Sequence, residues 1–132
     1  MARVLGLGGV FFKCRDAASL GAWYREWLGL PVQDPHGASF RPEAIPPGGW
    51  QVWAPFASDS AYFDPASVPF MFNLIVDDLE ACLERVAAGG AEVLPQREVG
   101  AYGKFGWFLD PEGNKVELWQ PPDERPSDVS GG

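Results

Sequence analysis

The chain is expected to adopt an α+β fold in which two βαβββ modules form an open, curved sheet around a central cavity. Three observations predict this. The sequence repeats itself at an offset of 61, so that Asp16, Leu28, Gly29 and Val32 fall on Asp77, Gly89, Gly90 and Val93. In each copy a strand-like apolar run precedes a segment carrying the apolar stripe of a helix. Residues 105–119, FGWFLDPEGNKVELW, read as a hairpin closing the second copy, and Gly48-Gly49 before residues 50–55 parallels Gly113-Asn114 before residues 115–121. With one helix per module, each sheet has one uncovered face, and those faces would enclose the cavity.

Residues 4–14 read as the first strand, with Val10, Phe12 and Cys14 on one face and Gly9, Phe11 and Lys13 on the other. Asp16 or Ser19 can supply the N-cap oxygen of a first helix whose apolar residues fall at Leu20, Trp23, Tyr24, Trp27 and Leu28. Gly29 then offers a left-handed end. Between residues 30 and 69 Pro and Gly are dense. Residues 37–41 and 50–55 look like strands, joined through Pro46-Pro47-Gly48-Gly49, and residues 58–68 are mostly loop. That loop carries Tyr62 and Phe63, aromatics expected to pack over the core edge or to meet a pocket or partner.

Residues 68–76 form the next expected strand, with Phe70, Phe72, Leu74 and Val76 on one face and Met71, Asn73 and Ile75 on the other. Asp77-Asp78 caps a second helix carrying Leu79, Cys82, Leu83, Val86 and Ala87, closed by Gly89-Gly90. A strand at 91–94, a polar loop and the hairpin follow. In the hairpin Pro111 pre-sets φ, Gly113 and Asn114 tolerate positive φ, and alternation puts Glu117 opposite Val116 and Leu118. A mid-strand carboxylate either faces solvent or projects into the cavity. One domain over residues 1–121 results, with module one at about 4–64 and module two at about 68–121. Residues 122–132, rich in Pro, Ser, Gly and acid, are expected to be a disordered tail.

Composition narrows the functional classes. At 132 residues and 46% apolar content the chain can bury a core. A net charge of −8 without a Lys/Arg cluster argues against a nucleic-acid partner. No apolar run approaches the roughly 20 residues of a membrane helix, so no membrane partner is expected. The opening MARVLGLGGVFFK lacks signal-peptide order, which makes the cytoplasm the expected location. Cys14 and Cys82 have no CxxC spacing and read as buried thiols. His36, the sole histidine, sits in a loop and reads as a surface residue.

The helix end WYREWLGL, the second helix VDDLEAC and the hairpin DPEGNKVELWQP together resemble the vicinal oxygen chelate superfamily of glyoxalase, bleomycin-resistance and extradiol-dioxygenase proteins, over about residues 4–121. The resemblance implies paired βαβββ modules, commonly dimeric. It also implies a cleft in which His or Glu from the first strand of each module, and Glu from the last, often hold a divalent metal. Carried over residue by residue, the first-strand positions are Gly9 and Met71, and the carboxylate of module one falls at Trp53, or Val52 one residue away. Only Glu117 matches. Glycine and indole offer no donor and a thioether is a poor one for such ions, so no metal or other cofactor is expected.

The reading is a small-molecule binding protein with an incomplete metal site. A partly apolar ligand would lie among Phe11, Trp53 and Met71, with Glu117 and Asn73 as polar anchors. Gln51 could orient it, Tyr102 in its Gly-flanked loop could form a mobile rim, and Trp50 and Trp107 add aromatic surface. Lys13, if it faces inward, could pair with Glu117. Glu117 could equally be a structural acid. The alternative is a glyoxalase-like lyase, isomerase or dioxygenase using Glu117 as catalytic base or as one ligand of an atypical site. A third class is an interaction module contacting a partner through Tyr62 and Phe63. A homodimer is the expected assembly, by resemblance.

Overall fold

A computed structural model of the chain describes residues 2–33 and 37–123. In chain order the elements are α1 (Ala17–Leu28), β1 (Val32–Gln33), β2 (Gly37–Ala38), a 3₁₀ turn (Pro42–Ala44), β3 (Phe72–Ile75), α2 (Leu79–Ala88), β4 (Glu92–Gly100), β5 (Gly103–Leu109) and β6 (Lys115–Gln120). The fold is α+β, and its main sheet is open and four-stranded in the order β3-β6-β5-β4. β3 runs parallel to β6, whereas β6, β5 and β4 are successively antiparallel. Residues 72–120 therefore form a βαβββ unit.

Both helices lie on one face of this sheet because their apolar stripes match its apolar face. Leu20 and Tyr24 of α1, Leu79, Leu83 and Val86 of α2, and Phe108, Val116 and Leu118 of the sheet make the buried core. Burying each such side chain contributes about 1.5–3 kcal/mol. α2 approaches β5 so closely that a Cβ on Gly106 would lie 2.9 Å from Leu83 Cδ1. Asp16 caps α1 by accepting the Ser19 N–H at 3.0 Å, and Gly29 ends it at φ 67°. The second cap is Asp78, which accepts from Ala81 N–H at 3.1 Å. α2 therefore starts one residue later than the 61-residue offset implies.

The hairpin turn is held by Asp110. One of its oxygens accepts from the Glu112 and Asn114 N–H groups, both at 2.9 Å. The other accepts from Asn114 Nδ2 at 3.2 Å and from the Tyr24 hydroxyl at 2.9 Å. Burial and this carboxylate push the Tyr24 phenol far up, so it stays a donor. Glu112 in the same turn accepts from the Arg15 and Asp16 N–H groups at 3.1 and 3.0 Å, tying the turn to the start of α1.

Several strand expectations are corrected. Residues 4–14 and 50–55 are not strands, and the strand expected at 37–41 shrinks to Gly37–Ala38. Alternation describes faces but supplies no partner. Residues 4–14 contain Gly6, Gly8 and Gly9, and among the described residues they join no ladder. A hydrogen bond ties them to 50–55, from Leu7 N–H to Gln51 Oε1 at 2.8 Å. β4 is longer than the expected 91–94. It continues through Pro95 and the polar run after it as an edge strand, with a register shift between Val93 and Arg97. Edge position and a bulge are where proline and charge are tolerated. His36 and residues 124–132 of the expected tail lie outside the described residues. Among the described residues no helix is long and apolar enough to cross a membrane.

Candidate functional site

The helix-free face of the sheet carries a row of polar and aromatic side chains fixed by strand register. Asn73 of β3 is opposite Glu117 of β6, and Glu117 is opposite Trp107 of β5. Side chains opposite one another in a ladder share a face, so three strands converge on one carboxylate. Asn73 Nδ2 donates to Glu117 Oε1 at 2.6 Å, and Trp107 Nε1 donates to Oε2 at 3.0 Å. A fourth strand is not needed. Tyr62, in the long loop before β3, reaches across and donates its hydroxyl to the same Oε2 at 2.6 Å. Glu117 is 8% exposed, and its three partners are all neutral donors.

Lys115 lies two residues before Glu117 and shares its face. Its Nζ donates to the Tyr62 carbonyl at 2.6 Å and lies 5.3 and 5.6 Å from the ring centroids of Tyr62 and Trp107. Burial pulls the Lys115 ammonium below its ordinary range, against the opposing pull of Glu117 and Asp64. Burial, and next the hydrogen bond to Glu117, push the Tyr62 phenol well above the ordinary range, so its proton is firmly held. Tyr62 meets Trp107 edge-on at 6.2 Å and stacks with Phe56 at 5.5 Å. Further along the same face Phe105 and Trp119 stack at 6.0 Å and 2°. Beyond them Trp50 packs against Trp119 and Tyr102, and Trp119 Nε1 donates to the Tyr102 carbonyl at 2.6 Å. A wide cleft opens over this surface.

A family model of the glyoxalase-like domain matches residues 9–119. The chain belongs to the glyoxalase-like domain family, and with it to the vicinal oxygen chelate superfamily. This glyoxalase-like domain has 36% identity over 59 residues to "Putative glyoxylase CFP32" of Mycobacterium tuberculosis (strain CDC 1551 / Oshkosh), a match covering 42% of this chain and 23% of that protein. The chain thus spans under a quarter of that curated relative. Among solved structures, a protein from the mobile metagenome of V. Pseudocholerae is 20% identical with a TM-score of 0.55, over 91% of this chain and 97% of its own. A protein from Agrobacterium tumefaciens str. C58 is 21% identical with a TM-score of 0.53, over 88% and 98%. Both share the fold.

The superfamily's usual divalent ion does not fit the residues that this glyoxalase-like domain offers. Both Glu117 oxygens are taken by donors, the indole of Trp107 cannot ligate, and Met71, which lines the cleft, offers only a thioether. Among the described residues no three His, Cys, Asp or Glu side chains cluster closely enough to hold a metal.

The structure brings Glu117, Asn73 and Trp107 into contact, and Met71 and Gln51 onto the cleft wall. Gln51 there binds the Leu7 backbone. Tyr102 is half-exposed in the β4–β5 turn, at the rim. Others are placed differently from expectation. Phe11 is 95% exposed and Trp53 78% exposed, so neither is enclosed, and Trp53 and Lys13 do not line the cleft. The first strand that would have aimed them inward does not form. Lys13 is exposed and makes no ion pair with Glu117 among the described residues; the ammonium on this face is Lys115. Lys115 was legible from alternation, being two residues from Glu117. Tyr62, 55 residues from its partner, left no local signal beyond being an aromatic in a loop.

Proposed function

We propose that this glyoxalase-like domain binds a small, partly apolar molecule on the helix-free face of its sheet, with Glu117 as the polar anchor. One observation carries the reading. A carboxylate is buried among aromatic rings and, among the described residues, accepts hydrogen bonds from Asn73, Trp107 and Tyr62, beside an open cleft. Taking a charge out of water is costly, and a solvent-facing position on the same strand would avoid that cost. Convergent polar groups in an apolar concavity are how binding sites orient a ligand. The reading includes a cytosolic setting, supported by the free thiols Cys14 and Cys82.

Native mass spectrometry of the freshly purified protein tests it, read beside thermal melts. A co-purified small molecule that is lost in Glu117→Gln, with melting unchanged by added divalent metals, is the expected result. A stoichiometric ion that Glu117→Gln releases would overturn it.

The 2.6 Å contact between the Tyr62 hydroxyl and Glu117 favours a second reading, in which Glu117 acts as base in a lyase, isomerase or dioxygenase reaction. Under it Glu117→Gln abolishes turnover of a bound substrate while leaving its affinity nearly unchanged.

A further inference from the structure

The groups around the Tyr62 ring differ in how firmly they are fixed. Glu117, Trp107 and Lys115 stand on the β5–β6 hairpin, locked by continuous register from Lys104 to Leu109. Tyr62 and its stacking neighbour Phe56 come from a loop without helix or strand between the 3₁₀ turn and β3, and Tyr62 is 38% exposed. The sheet thus holds three ready contacts for a phenol. Glu117 Oε2 accepts the hydroxyl, the Trp107 ring meets the edge at 6.2 Å, and the Lys115 ammonium lies 5.3 Å from the ring centroid. The chain's own tyrosine occupies that position, and of the three donors to Glu117 among the described residues it is the one that stands on a loop rather than a strand.

Resting on the binding reading above, we infer that the ligand is a planar aromatic molecule carrying a phenol-type hydroxyl, which donates to Glu117 in place of Tyr62. Other chemistries fit less well. An anion would meet Glu117. A hydrocarbon ring that displaced Tyr62 would leave Oε2 short of a donor in a buried site. A hydroxylated ring satisfies all three sheet groups, and a second fused ring extends along the same face onto the stacked Phe105 and Trp119. Withdrawal of the Tyr62 loop is then the step that opens the site, and Tyr62 competes with the ligand.

Three probes test this: 2-naphthol, 2-methoxynaphthalene and naphthalene, titrated against the full chain while following the Trp107 indole N–H resonance, assigned through Trp107→Phe. Wild type is expected to bind 2-naphthol about tenfold more tightly than either analogue, the difference of one hydrogen bond to a charged acceptor. Tyr62→Ala removes the competitor and tightens 2-naphthol by about a further tenfold, whereas Glu117→Leu, which leaves no acceptor, erases the preference over the ether. If Tyr62→Ala is unfolded, Tyr62→Phe carries the comparison with a gain of several-fold. Equal affinity for all three probes would overturn the hydroxyl anchor while leaving a cleft that binds apolar rings. Absence of binding by any probe to the folded wild type and variant would overturn the phenol inference, and the co-purified ligand would then decide the broader reading alone.

Discussion

Glu117 shows how one side chain is made dependent on its neighbours. Its carboxylate has been taken out of water, and three neutral donors replace the lost hydration. Removing one donor leaves charge under-solvated, which costs more than the bond itself contributes. Trp107→Phe keeps an aromatic ring in place but deletes the 3.0 Å bond to Oε2. It is expected to lower stability by about 1–3 kcal/mol in urea denaturation; an unchanged midpoint would mean that water replaces the indole. Asn73 and Glu117 were legible beforehand as sharing a face, because alternation in adjacent strands assigns faces, whereas Trp107 read only as added aromatic surface. Tyr62 was not legible. Its contact depends on the path of a long loop, and a loop's path follows from tertiary packing rather than from any period in its residues.

Elements with chemistry at both ends read clearly from sequence, and α1 is the best case. Asp16, Gly29 and the stripe from Leu20 to Leu28 named its start, its end and its inner face. The Asp16 carboxylate is held below the ordinary range, first by the Ser19 N–H and then by the Ser19 hydroxyl. A carboxyl whose pKa is depressed by folding contributes stability above its unfolded value, about 4, and loses it as pH falls through the lower folded value. Glu112, depressed mainly by Arg15, acts in the same direction. Asparagine caps a helix nearly as well as aspartate but does not titrate. Asp16→Asn should therefore melt close to wild type at pH 7 and lose less between pH 5 and pH 3. Parallel acid limbs for the two proteins would show that the cap does not contribute. β4 was harder to read, since Pro95 and the Gln-Arg-Glu run after it resemble a loop. Its edge position makes them tolerable, and edge position is a property of the whole sheet.

At the scale of the molecule the two modules differ, and the difference bears on assembly. Module two builds a complete ladder, while residues 4–14 and 50–55 carry strand-like sequence without strands. Several of their apolar residues remain in water: Val4 and Leu5 are each 87% exposed, Phe11 95% and Trp53 78%. Apolar exposure of this kind marks an interaction surface. The cleft beside them is wide and open, and covering it would enclose a small ligand. We propose that a second copy of the chain does so. Symmetry makes one copy's unpaired segments available to the other's, and two-fold pairing is the commonest way such a surface closes. Light scattering with size-exclusion chromatography should give a dimer in the micromolar range. The double variant Phe11→Ser, Trp53→Ser should run as a monomer with a folded core, because neither side chain packs in the core of α1, α2 and the main sheet. A wild-type protein that stays monomeric throughout that range would overturn the assembly. Dimeric mass in the double variant would place the interface elsewhere on the surface.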